Sequence, residues 1–71
     1  MADDPRLYVQ VAKSFRERIL DGDLKPGDAV PSIRTTCQET GYSRQTIGKA
    51  FRILESDGLI ERIPGRGYYV D

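Results

Sequence analysis

Several residue types on which catalytic and metal sites depend are scarce or missing in this sequence of 71 residues. It has no histidine and no tryptophan, and Cys37 is its single cysteine. One cysteine excludes an internal disulfide, and a Cys/His zinc site cannot be assembled without histidine. No pairing of nucleophile and base, and no pair of carboxylates, has a credible catalytic spacing. We therefore expect no enzyme, no catalytic residues, no metal and no cofactor.

Long apolar runs and net charge are also lacking. No stretch approaches the ~20 apolar residues that a membrane-spanning helix needs, and the first residues lack the basic and apolar blocks of a secretion signal. Lys and Arg number 11 and Asp and Glu number 11, so the formal net charge is zero. We expect a cytoplasmic domain without membrane contact. A nucleic-acid partner must be argued from where the charges lie.

The first segment repeats apolar residues with the period of an amphipathic helix. Asp4 is a candidate capping residue, Pro5 suits the first helical position, and Gly22 supplies a stop signal. The apolar positions recur at helical spacing: Leu7, Tyr8, Val11, Ala12, Phe15, Ile19 and Leu20. They predict a helix with an apolar stripe along one side.

Two shorter helices are predicted next, separated by a turn at Gly41. Ser32 and Ser43 are the expected capping residues, and Asp57-Gly58 ends the second of these helices. This spacing is typical of a helix-turn-helix. The period then changes to alternation in LIERI and YYV, on either side of PGRG, which predicts a β-hairpin. The predicted fold is mainly α with a small β-hairpin, a three-helix winged helix-turn-helix over residues 1–71.

Positive charge collects at the start of the third helix. With Ser43 as the cap, Arg44, Gln45 and Thr46 occupy the first three helical positions. In a helix-turn-helix, these positions of the second helix of the motif contact base edges in the major groove. Arginine suits guanine, glutamine suits adenine and threonine suits a base or a phosphate, while the helix N-terminus favours a phosphate. Lys49 lies one turn beyond Gln45, away from the apolar face.

Two other interpretations of this charge are open at the level of sequence. Arg44 and Lys49 could form a solvated helix face, or the winged helix could be a protein-interaction module without DNA binding. The interaction module predicts no salt-dependent affinity for DNA. The helix-turn-helix spacing and the hairpin behind it favour DNA.

Five short motifs in a fixed order extend over almost the whole chain. They are G-x-L-x-P-G-D from Gly22 to Asp28, P-S-x-R from Pro31 to Arg34, S-R-x-T from Ser43 to Thr46, L-E-x-D-G-L-I from Leu54 to Ile60, and G-R-G-Y-Y-V from Gly65 to Val70. Each motif alone is weakly specific. Together they resemble the DNA-binding domain of the GntR family of bacterial transcription regulators.

The resemblance implies roles for residues outside the third helix as well. It gives Arg34 a phosphate or base contact beside the groove, and makes Arg44 the principal base reader with the two residues after it alongside. In the wing, it implies that Gly67 lets the backbone approach the minor groove. Arg66 would reach a phosphate or the groove floor, where a narrow groove attracts arginine.

The sequence departs from the family pattern at Gly48, where the family usually has a second arginine. Glycine there costs about 1 kcal/mol relative to alanine in helix propensity. Two explanations are open: close approach of the helix backbone to DNA, or close packing inside the protein. Lys49, the next residue, is expected to take over a phosphate contact.

The resemblance also implies a biological setting. Its members bind double-stranded DNA as homodimers on short inverted repeats, with one recognition helix per half-site, and a repressor is the expected role. They carry a C-terminal domain for effector sensing or oligomerisation, which we expect to be absent from residues 1–71. A small-molecule effector would act only through that domain. The third helix and the wing also look like those of regulators of conjugative plasmid transfer in actinomycetes.

Overall fold

The computed structural model describes residues 5–71, which form three helices followed by an antiparallel hairpin. The elements are α1 (Pro5–Leu20), α2 (Ile33–Thr40), α3 (Arg44–Ser56), β1 (Ile60–Ile63) and β2 (Gly67–Val70). The predicted winged helix-turn-helix is confirmed, with the hairpin as the wing. The cap proposed at Asp4 lies outside the described residues.

Both helices of the helix-turn-helix begin at the predicted serines. The Ser32 and Ser43 hydroxyls each accept the backbone N–H of the residue three positions on, at 3.0 and 3.1 Å. Gly41 ends α2 with φ +77°, in the left-handed region that glycine adopts without strain, and its N–H donates to the Cys37 carbonyl at 2.8 Å. The short turn between the helices is therefore determined by local hydrogen bonds.

The inner face of α3 is the centre of the core. Four of its side chains are 0% exposed: Ile47, Ala50, Phe51 and Leu54. The Phe51 ring makes edge-to-face contacts with Phe15 of α1, at 5.5 Å between centroids, and with Tyr68 of β2, at 4.8 Å. Such pairs stabilise a core beyond their buried area. One side chain thus links α1, α3 and the wing.

The apolar stripe of α1 is narrower than the sequence predicts. Val11, Ala12 and Phe15 are buried against the core, but Leu20 is 72% exposed, so its assignment to the stripe is wrong. At 3.6 residues per turn, Leu20 lies about 140° around the helix from Phe15. That angle turns its side chain away from α3.

The wing has a backbone partner that the sequence did not predict. The Val30 N–H donates to the Tyr68 carbonyl and the Val70 N–H donates to the Asp28 carbonyl, each at 2.9 Å. Between these bonds, Ala29 forms an isolated β-bridge with Tyr69. An isolated two-stranded hairpin is marginally stable in water. Pairing on both sides of β2 therefore attaches the wing to the helical body.

We expect Phe51→Leu to destabilise the domain by about 1–3 kcal/mol, because it removes two edge-to-face contacts at about 0.5–1.5 kcal/mol each. Urea unfolding followed by circular dichroism measures the change. Val9→Ala is the control, since Val9 is 52% exposed and exposed sites usually change stability by less than about 0.5 kcal/mol. Equal losses in the two variants would contradict the central position of Phe51.

Candidate nucleic-acid interface

Because one face of α3 is buried in the core, the side chains on its opposite face lie outward. The exposed residues of this helix include Arg44, Gln45, Lys49 and Arg52. Arg44 and Arg52 lie four residues before and after Gly48, so these three positions share one ridge of the helix. Gln45 and Lys49 form the neighbouring ridge. The structure thus brings most of the predicted α3 site residues together on one outward surface, which we call the recognition face.

Thr46 does not belong to that surface. It is 3% exposed, lies four residues before the buried Ala50, and therefore shares the inner face. Its hydroxyl lies 3.0 Å from the Ser43 hydroxyl, and its backbone N–H donates to the same oxygen. This geometry does not support the predicted direct contact between Thr46 and a base. Thr46 instead stabilises the start of the helix, and Ser43 is the exposed partner of the two.

Arg34 occupies the second position of α2 and is exposed. Neither α2 nor α3 has an acidic residue in its first turn. A cation at a helix start interacts unfavourably with the helix dipole, which destabilises the helix by a few tenths of a kcal/mol for each cation. Arginines at both helix starts therefore do not serve helix stability, although they suit a polyanionic ligand.

Gly48 lies in open space. A Cβ built on this residue would meet no heavy atom within 4 Å outside its own helix and chain neighbours. Of the two explanations from the sequence, close packing inside the protein is therefore wrong. The missing side chain leaves a gap between Arg44 and Arg52 on the recognition face, through which a ligand can approach the backbone.

Lys49 is exposed but reaches across to α1. Its Nζ lies 5.6 Å from the centroid of the Tyr8 ring, within the range of a cation–π contact. Sequence reasoning missed Tyr8 as part of this surface, because its helical spacing assigned it to the apolar stripe. It is half-buried, packed against the core at one edge.

The wing tip carries the two remaining predicted residues, Arg66 and Gly67, both exposed. The Arg66 N–H donates to the Ile63 carbonyl at 2.9 Å, which closes the turn. Gly67 begins β2 with φ +101°, a conformation that side-chain-bearing residues rarely adopt. Any substitution at Gly67 would therefore strain the tip.

Other kinds of site find no support in the described part of the chain. Within residues 5–71, no group of three or more His, Cys, Asp or Glu side chains is placed to hold a metal ion. Over the same residues, no helix combines the length and the apolar content needed to cross a membrane. Cys37 is half-buried and packs against the core.

Known proteins are similar to this chain in both sequence and fold. The chain is 38% identical to the HTH-type transcriptional repressor YtrA of Bacillus subtilis over 94% of its own length and 55% of the relative's. It is 45% identical to the mannosyl-D-glycerate transport/metabolism system repressor MngR of Escherichia coli, over 90% of its own length and 27% of the relative's. The chain thus spans about half of one relative and about a quarter of the other.

The fold comparison agrees. A crystal structure of AraR(DBD) in complex with operator ORR3 superposes with a TM-score of 0.86 and 34% identity, covering 90% of this chain and 77% of that one. The named relatives are transcription regulators rather than enzymes. The model of the bacterial regulatory proteins of the gntR family matches residues 7–70. With nearly the whole chain matched, this protein belongs to the gntR family of bacterial regulatory proteins.

Proposed function

We propose that this domain recognises a specific sequence in double-stranded DNA and acts as the DNA-binding part of a transcriptional repressor. The observation that carries the proposal is the recognition face, a set of exposed polar and cationic side chains held outward by a helix whose opposite face is fully buried. An α-helix presented in this way fits the major groove.

The first turn of α3 supplies the base contacts. Arg44 can bond in bidentate fashion to guanine O6 and N7, and Gln45 can do so to adenine N6 and N7. The exposed Ser43 hydroxyl and the backbone N–H groups of the helix start suit a phosphate. Arg34, at the start of α2, contacts the DNA backbone beside the groove.

The wing supplies a second contact. Arg66 at its tip enters the adjacent minor groove or contacts a phosphate, and the bare backbone at Gly67 allows the close approach. A narrow minor groove has enhanced negative potential, which attracts the guanidinium. Because β2 is held on both sides, the wing reaches DNA as a fixed element.

The functional unit on DNA is a homodimer at an inverted repeat, with one recognition helix per half-site. Two-fold symmetry in the DNA then matches two-fold symmetry in the protein. The relatives described above are longer than this chain. We place effector sensing or oligomerisation in a further C-terminal domain, and the protein in the cytoplasm. Control of conjugative plasmid transfer in an actinomycete is the biological setting we propose.

Selection of bound duplexes from a random DNA library tests the function directly, with binding read at two salt concentrations. We expect enrichment of an inverted repeat and weaker binding at higher salt, because phosphate contacts release counterions. A single half-site would contradict the dimer. No enrichment at either concentration would instead favour a protein-interaction module that does not bind DNA.

Arg44→Ala should remove discrimination at one base pair per half-site, at a cost of about 1–3 kcal/mol. The measurement is the affinity for the selected duplex and for the same duplex with that base pair changed. Arg62→Ala is the control, since Arg62 is exposed on β1 and outside the recognition face. If Arg44→Ala weakens specific and random DNA equally, Arg44 does not read a base.

Gly48→Ala should raise the stability of the domain and lower its affinity for DNA. The φ of Gly48 is not in the left-handed region and its surroundings are open, so alanine should stabilise the domain by up to about 1 kcal/mol. The same methyl group should weaken DNA binding, because it fills the gap in the recognition face. Thermal unfolding and duplex titration on one protein sample measure the two effects. Full DNA affinity in the stabilised variant would show that the backbone at Gly48 does not approach DNA.

A further inference from the structure

The contact between Tyr8 and Lys49 lies at the edge of the recognition face. Tyr8 belongs to the first turns of α1 and Lys49 to the middle of α3, and the ammonium lies 5.6 Å from the ring centroid. The half-buried tyrosine is held against the core, whereas the lysine is exposed. A fixed ring thus lies beneath a long, exposed cationic side chain.

The packing of α1 against α3 shows that the contact between Tyr8 and Lys49 lies towards the N-terminal end of α3. Further along, Arg16 of α1 forms an ion pair with Asp57, which follows it by 41 residues. Lys49 follows Tyr8 by the same interval. From the first contact to the second, about 12 Å along α1, the partner residue advances in the same direction along α3, so the two helices run broadly parallel. The first turns of α1 therefore lie beside the N-terminal half of α3, which carries Arg44 and Gln45.

We propose that Tyr8 is a positioning residue for Lys49. Its ring holds the ammonium at the boundary of α1 and α3, where it binds a phosphate of the DNA backbone flanking the groove. This inference rests on the proposed function. It adds that a residue of α1, outside the helix-turn-helix, determines where the protein contacts the DNA backbone.

The physical reason is preorganisation. The lysine side chain has four rotatable bonds and loses much of their entropy when its ammonium binds a fixed phosphate. A ring face attracts the ammonium through its quadrupole and restricts it before DNA arrives. A cation–π contact acts through the charge of the ammonium and not through one particular N–H donor, so it is compatible with a phosphate contact by the same group. The tyrosine hydroxyl has no part in this, and a phenylalanine ring should serve as well.

The test uses Tyr8→Leu, Tyr8→Phe, Lys49→Met and the double variant Tyr8→Leu/Lys49→Met. The probe is a labelled duplex of random sequence, titrated over a range of salt concentrations. Lys49→Met should lower the salt slope by about 0.9, the loss of one phosphate contact. Tyr8→Leu should weaken binding about two- to fivefold and lower the slope in the same direction. Tyr8→Phe should match the wild type, and the double variant should bind no more weakly than Lys49→Met alone.

Two controls separate positioning from a structural role. Lys13→Met removes an equal charge from α1, where Lys13 lines a different groove with Val9 and Glu17, and should leave the slope unchanged. In wild-type protein without DNA, ring current from Tyr8 should move the NMR signals of the Lys49 Hε protons upfield, with Lys49→Met identifying those signals. Ordinary shifts for these protons would overturn the inference even if Tyr8→Leu failed to fold.

The remaining outcomes are also decisive. If Tyr8→Leu weakens binding equally in the wild-type and Lys49→Met backgrounds, Tyr8 does not act through Lys49. An unchanged affinity in Tyr8→Leu overturns the inference as well. If Lys49→Met keeps the full salt slope, Lys49 does not bind a phosphate. The selected inverted repeat and the Arg44→Ala result would still test the proposed function separately.

Discussion

Burial of the inner face of α3 is the constraint on which the rest of this structure depends. The Phe51 ring, in contact with Phe15 and Tyr68, orients both α1 and the wing relative to α3. A rotation of α3 by one residue, about 100°, would bury polar side chains and expose the core. Close packing excludes intermediate positions. The outward direction of Arg44 and Gln45 is thus a consequence of core packing, and no separate interaction is needed to produce it.

The charges on α2 and α3 run against the helix dipoles. Both helices have arginine and no acid in the first turn, and neither has a basic residue in the last turn. Glu39 in α2 and Glu55 in α3 lie near the C-terminal ends. Each such placement costs a few tenths of a kcal/mol. The serine caps stabilise each helix start by about 1 kcal/mol and so offset the mismatch. The chain therefore tolerates a charge pattern that favours an anion at the N-terminal end of each helix.

The sequence predicted those features that short-range chemistry determines. Ser32, Ser43 and Gly41 act within three or four residues of themselves, so the helix ends follow from local hydrogen bonds. The recognition face follows from the period of the apolar residues. The Lys49–Tyr8 contact and the pairing of Ala29 with Tyr69 join residues about 40 apart, and no local pattern specifies them. Thr46 was misplaced for a related reason, since a polar type at a helix start suggests exposure while its spacing from Ala50 places it inside.

The same charge pattern explains how a chain of zero net charge suits a polyanion. Arg44 and Asp57 lie at opposite ends of α3, about 20 Å apart at 1.5 Å per residue. The Debye length at physiological ionic strength is about 8 Å, so the acids at the far end are separated from a phosphate at the near end by more than two screening lengths. Asp57 is also paired with Arg16. A phosphate docked at the N-terminal end of α3 would therefore respond to nearby charges such as Arg44 and hardly to the acids at the far end of that helix. A net charge of zero describes only the weak attraction at long range, and it therefore does not argue against a local field at the recognition face that favours phosphates.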